Sequence, residues 1–102
     1  MADRGGAVAQ GSAVGPTLRL DKYLWFTRLA KSRSAAQQLA EAGHIRINGR
    51  RIERSHAPIR AGDLITFPHF DTVRVVRVIQ LPARRGPAPE AQECYEELKL
   101  GQ

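Results

Sequence analysis

Apolar positions follow two rhythms along this chain, and the change between them comes just before its middle. Leu20, Tyr23, Leu24 and Thr27 recur at i, i+3, i+4 and i+7, with Trp25, Phe26 and Leu29 widening the stripe. That spacing predicts a helix over about 20–30, since the run is too long for a buried strand and lacks alternation. A short linker, Lys31-Ser32-Arg33, leads into a second predicted helix over about 34–42. Ser32 or Ser34 can cap it, and Ser34 with Gln37 has the spacing of a capping box. Ala35, Ala36, Leu39 and Ala40 give it a small-residue face that lets another helix approach closely. Gly43 stands where a helix ends on a left-handed residue.

After Gly43 the period drops to two. Ile45, Ile47 and Ile52 flank Asn48-Gly49, a dipeptide of tight hairpin turns. Residues 60–63 turn the chain into a short strand at 64–67, and 68–71 form a second turn. Val73, Val75, Val76, Val78 and Ile79 make the longest β-branched run, with Arg74 and Arg77 interleaved. Beyond Pro82 the text is a loop, from which Pro89 opens a final short helix with Ala91, Tyr95 and Leu98 on one side. Residues 1–16 are Gly/Ala-rich without periodicity and bury too little to offset their ordering entropy, so a disordered arm is expected. The expected fold is α+β: two helices packed on a small, twisted, mostly antiparallel sheet, plus a short C-terminal helix. The expected divisions are the arm at 1–16, the main domain at 17–82, and a loop with an acidic helix at 83–102.

Charge turns the question from fold to partner. Sixteen Lys and Arg stand against ten Asp and Glu, a net charge of +6, and thirteen of the sixteen are Arg. Arg is the better fork for phosphate and the better stacker on bases, so the bias favours nucleic acid over mere solubility. Residues 17–85 carry fourteen basic and five acidic side chains, net +9, whereas 86–102 carry four Glu against Lys99, net −3. At 102 residues a single domain with a modest core is expected, with little room for a deep substrate cavity. Cys94 is the only cysteine, which excludes an intrachain disulfide and a Cys-rich zinc site and fits a reducing cytosol. No apolar run approaches a membrane span, and the N-terminus lacks the apolar stretch of a signal peptide. A cytoplasmic protein with no membrane partner is the expectation.

The basic residues are grouped. Arg19 and Lys22 are three apart at the start of the first helix and share a face. Lys31 and Arg33 lie at the N-terminus of the second, where free backbone N–H groups and the helix dipole favour an anion. Arg46, Arg50, Arg51 and Arg54 follow in the hairpin. The array suits a phosphate backbone; a solvated basic surface is the competing reading.

Four stretches then carry a resemblance. Arg19-Leu20-Asp21-Lys22-Tyr23-Leu24, Lys31-Ser32-Arg33-Ser34-Ala35-Ala36-Gln37, Gly43-His44-Ile45-Arg46-Ile47-Asn48-Gly49 and Gly62-Asp63-Leu64-Ile65 occur in order over roughly residues 17–67. Together they resemble the S-four-type RNA-binding domain, a module named after a ribosomal small-subunit protein. Trp25, the later Arg84-Arg85-Gly86-Pro87-Ala88 and Tyr95-Glu96-Glu97 are similar to a small, ribosome-associated heat-shock branch of that family in bacteria. That branch often continues into a long Lys/Arg-rich tail, where this sequence turns acidic. The resemblance implies binding to ribosomal RNA on the large subunit, with transfer RNA nearby, in the rescue of stalled ribosomes. It implies phosphate contacts for Arg19, Lys22 and Lys31, and a phosphate at the helix terminus for Ser32 and Arg33. It also implies close backbone approach at Asn48 and Gly49, flanked by Arg46, Arg50 and Arg51, with Gln37 and His44 in the same set. Shape and backbone readout is the mode expected.

Other chemistries are weaker. Arg19-Leu20-Asp21 also occurs as a catalytic motif in pseudouridine synthases, but here it opens a helix, so Asp21 is expected to orient an Arg or cap the helix. His44, His56 and His69 lack ligand spacing, and Cys94 sits among glutamates that hold its thiol protonated. Trp25 between Leu24 and Phe26 is expected to pack rather than stack on a base. No catalytic residue, metal, cofactor or small-molecule substrate is expected. Two rivals remain: a nucleic-acid adaptor or chaperone indifferent to DNA or RNA, and a protein-binding module using the acidic terminal helix. That acidic segment is also able to compete for the basic face.

Overall fold

Leu20, Tyr23 and Leu24, three positions of the first apolar stripe, are at most 1% exposed, which puts their helix at the centre of the core. The computed structural model describes residues 15–99, so the expected arm lies, but for its last two residues, outside the described residues. Along the chain run β1 (Leu18–Arg19), α1 (Leu20–Phe26), α2 (Arg33–Glu41), β2 (Ile45–Ile47), β3 (Arg50–Ile52) and β4 (Pro58–Ile59). Then follow β5 (Leu64–His69), β6 (Thr72–Val78), α3 (Ala88–Gln92) and β7 (Tyr95–Leu98). Five strands form one antiparallel sheet in the order β3-β2-β5-β6-β7, while β1 and β4 pair apart from it. The expected α+β architecture is what the chain adopts.

Alternation along the strands turns Ile45, Ile65, Phe67, Val76 and Val78 to one face of the sheet. There they pack with Leu20, Tyr23 and Leu24 of α1 and with Ala36 and Ala40 of α2. Each large apolar side chain so buried stabilises the fold by roughly 1.5–3 kcal/mol. The start of α1 is tied down as well: the N–H groups of Leu20 and Asp21 donate to the carbonyls of Ala57 and Ser55 at 2.9 and 3.0 Å. Two amides that a helix leaves unsatisfied are thereby paired by the segment before β4.

The first helix ends at Phe26, short of the expected 30. The Thr27 hydroxyl donates back to the Tyr23 carbonyl at 2.7 Å, and Arg28 takes a left-handed φ of 63°. Arg85 Nε then covers the Trp25 carbonyl at 3.2 Å. Leu29 and Ala30 stay buried outside the helix, which is why the apolar periodicity ran past its end. In α2 Ser32 is the cap, its Oγ accepting from the Ala35 N–H at 3.0 Å, and Gly43 follows the helix at φ 77°. Asn48 and Gly49 have φ of 54° and 81°, the left-handed pair of a primed hairpin turn. The second turn is tighter than expected, since His69 pairs with Thr72 and only Phe70 and Asp71 remain between them.

The terminal helix needs correcting. It covers only Ala88–Gln92, and Tyr95 and Leu98 belong to strand β7, opposite Val78 and Val75 of β6. Helical spacing of Ala91, Tyr95 and Leu98 lost to cross-strand pairing: Glu97 lies in register with β6 and forms an ion pair with Arg74. The Tyr23 hydroxyl donates to the Cys94 carbonyl at 2.7 Å and fastens this segment to α1.

Replacing Tyr23 by Phe removes that one bond and leaves the ring in place. Because Ile79 N–H still satisfies the Cys94 carbonyl, we expect a loss of about 1 kcal/mol in urea unfolding. Hydrogen exchange should quicken in Tyr95–Leu98 more than in β5; equal protection would show that the segment is held by other contacts.

Candidate nucleic-acid interface

Asp21 is completely buried at the first turn of α1, a costly place for a carboxylate unless donors surround it. They do. Oδ1 accepts from Arg19 Nε at 3.1 Å and from the Lys22 N–H at 2.8 Å. Oδ2 accepts from Arg19 Nη2 and Gln37 Nε2, each at 3.0 Å, and from Arg33 Nε at 3.3 Å. Burial pushes this carboxyl's pKa up, but the hydrogen bonds from Gln37, Arg19, Arg33 and the Lys22 backbone outweigh it and hold the group below its ordinary 3.8.

One carboxylate therefore gathers the side chains of three of the residues singled out in the sequence, Arg19 from β1 and Arg33 and Gln37 from successive turns of α2. Arg19 and Arg33 keep 43% and 36% of their side-chain surface in solvent. Two guanidiniums on one carboxylate leave a net positive charge, with Lys22 beside them and Lys31 exposed at the approach to α2. Gln37 and Ser32 are spent inside the protein, one on Asp21 and one on the helix cap, so their contribution is to position.

The hairpin forms a second group. The Asn48 amide donates to Asp63 Oδ1 at 3.0 Å and accepts from the Leu64 N–H at 2.9 Å, while its own N–H donates to the Leu64 carbonyl at 2.7 Å. Asn48 is thus committed to the fold, and Gly49 is left exposed at the tip. Arg46 and Arg51 stand directly opposite each other on one face of the hairpin. Facing like charges oppose pairing by some tenths of a kcal/mol, roughly. Arg51 lies over Gly43, where a Cβ would collide with its guanidinium, and pairs with Glu53 at 3.0 Å. His44 is exposed one residue away.

Arg50, paired with Ile47, points to the opposite face from Arg46 and Arg51. It lines a cleft with Arg54 and Arg60. Arg60 was missed in the sequence because it reads as the entry to a turn; only the fold brings it beside the hairpin. Among the described residues the acidic end of the chain pairs elsewhere: Glu97 with Arg74 and Glu90 with Arg84.

The remaining candidates have structural surroundings. Trp25 is flanked by the Phe26 ring at 5.7 Å and by the Arg85 guanidinium at 5.9 Å, so it packs. Cys94 is buried, and burial, then the charges of Glu90 and Glu93, push its thiol upward, away from the thiolate needed for reaction. Among the described residues no three His, Cys, Asp or Glu side chains gather as a metal set, and no helix is long and apolar enough to cross a membrane.

Comparison with known proteins places this geometry. The S4 domain matches residues 18–65, from β1 into β5. The RQC P-site tRNA stabilizing factor of Bacillus subtilis is 32% identical over 87 residues, spanning 83% of this chain and 100% of that protein. The chain belongs to the S4-type RNA-binding domain family. All twelve residues of the expected RNA-binding set fall inside the S4 domain, whereas β6, α3 and β7 lie outside it. The heat shock protein 15 homolog of Aeromonas salmonicida is 42% identical over 80 residues, covering 78% of this chain and 60% of that protein. The chain thus spans about 60% of the length of such relatives. A solved trimeric structure of Vibrio cholerae heat shock protein 15 superposes with a TM-score of 0.76 at 32% identity, covering 81% of this chain and 83% of that one.

The S4 domain's buried carboxylate has a pH signature. Its pKa is lower folded than unfolded, so its contribution is complete above 3.8 and lost as pH falls through the folded value. We expect the urea midpoint to drop steeply below that pH, and Asp21→Asn to be about 2 kcal/mol less stable at neutral pH with a flatter acid profile. An unchanged profile in Asp21→Asn would assign the acid loss to other carboxylates.

Proposed function

We propose that this chain is a non-catalytic RNA-binding protein that docks on structured ribosomal RNA of the large subunit, with transfer RNA as a neighbouring contact. Its place would be in the bacterial cytoplasm, in the recovery of stalled ribosomes under heat or similar stress. The observation that carries this reading is the Arg19–Asp21–Arg33 arrangement: a buried carboxylate fixes two half-exposed guanidiniums side by side and leaves them in positive excess. Fixed forks of this kind suit phosphate oxygens, because little rotamer freedom is lost when they bind. Lys22, Lys31 and the hairpin residues Arg46, Gly49 and Arg51 extend the surface, so the phosphates of a folded strand are read by shape. Relatives named as a P-site tRNA stabilizing factor and as heat shock protein 15 support the ribosomal setting.

The same geometry argues against catalysis at Asp21. Five donor contacts occupy its oxygens, so no lone pair is open to attack a substrate or to take up a proton from one. No membrane or small-molecule partner enters this reading.

The test is a titration against isolated large ribosomal subunits, transfer RNA and a DNA duplex at two salt concentrations, with Lys22→Gln/Lys31→Gln alongside. Large subunits should bind far more tightly than duplex. The double variant should bind about tenfold more weakly, with its salt slope reduced by about two. If all three ligands bind alike and fade together with salt, the chain is a general polyanion binder, and the ribosomal reading falls.

A further inference from the structure

Nine of the twelve arginines among the described residues have a partner within the protein. Arg19 and Arg33 bond to Asp21, Arg51 to Glu53, Arg74 to Glu97 and Arg84 to Glu90. Arg28, Arg46, Arg77 and Arg85 donate to backbone carbonyls. The other three, Arg50, Arg54 and Arg60, have no side-chain partner among the described residues, and all three line the same cleft.

That cleft, of about 400 Å³, lies between the β2–β3 hairpin and the segment that ties down the start of α1. Its one acidic residue is Asp63, whose oxygens are taken by Asn48 Nδ2 and by the Arg60 N–H, each at 3.0 Å. Arg60 Nε is shut off from solvent without an acceptor, the sole such side-chain atom among the described residues. Buried donors are normally paired, so an orphan on a cation beside two unpartnered cations marks the place of a missing anion. Pro58 on the cleft wall pairs with Arg19, which joins the cleft to the Asp21-centred face.

We propose that this cleft is a phosphate subsite, formed by Arg50, Arg54 and Arg60, which takes a phosphodiester of the bound RNA as the strand continues past Arg19. The inference rests on the RNA-binding reading above and adds to it a second contact on the far face of the hairpin. Three forks around one tetrahedral oxyanion supply more donors than it has oxygens, and a small turn of the Arg60 side chain brings its covered Nε to the acceptor it lacks.

Two measurements on the full chain test it. Arg54→Gln/Arg60→Gln, confirmed as folded by its urea midpoint, should bind large subunits at least tenfold more weakly, with a salt slope smaller by about two. In the unaltered protein, inorganic phosphate should shift the Arg60 Nε–Hε NMR signal, a readout that needs no variant. If large subunits bind the double variant as tightly and with the same slope as the parent, the subsite is overturned while the RNA reading stands. A phosphate-shifted signal with unchanged RNA affinity also overturns it, by making the cleft a site for free phosphate. If the parent binds no RNA, the RNA reading fails, and with it the phosphodiester as ligand. The phosphate titration then decides whether the cleft takes an anion at all.

Discussion

A carboxylate with no access to water must be surrounded by donors, and Asp21 draws them from three directions. Arg19 comes from β1, the Lys22 N–H from the first turn of α1, and Arg33 with Gln37 from α2. The relative placement of the two helices and the display of two guanidiniums are therefore one fact. A change that lets α2 turn or slide relative to α1 would separate Arg33 and Gln37 from Asp21 and leave a buried charge short of partners. Stability and the candidate binding surface cannot be varied independently here.

Charge is distributed on the same logic. One arginine of β6 and one of the loop before α3 meet glutamates supplied by the end of the chain, through Arg74–Glu97 and Arg84–Glu90. Those in the S4 domain have few carboxylates to meet. The net positive charge of the sequence is therefore concentrated on the half that carries Asp21 and the hairpin, and the acidic end serves as a neutralising strand for the other half. An even mixture of signs would give a soluble surface; this separation gives a field with direction.

Much of this was legible residue by residue. Asn48-Gly49 announced a hairpin because few other dipeptides accept two left-handed residues in succession, and Gly43 announced a helix end for the same reason. Ser32 was a visible cap, and Asp21 was readable as an orienting group. What stayed hidden depended on partners far along the chain. Gln37 had the spacing of a capping box, yet its amide is spent on a residue sixteen positions earlier. Thr27 and Arg28 stop a helix whose apolar pattern continues. Tyr95 and Leu98 fit a helix by period, but the open edge of β6 offered hydrogen bonds and an arginine, and strand pairing prevailed. Arg60 could be linked to Arg50 and Arg54 only once the chain had folded back on itself.

The bonds of Asn48 to Asp63 and Leu64 have an effect beyond holding a turn in shape. Loops that order themselves around a ligand surrender entropy at the moment of contact, and affinity falls accordingly. Here the hairpin tip is braced against the next turn by side-chain and backbone bonds alike, so its freedom was given up when the chain folded. What remains to be ordered on contact at the hairpin is the exposed side chains of Arg46, Arg50 and Arg51, each losing rotamers separately. Encounter can proceed by successive capture of guanidiniums on a stiff frame, with no rearrangement of the backbone between them.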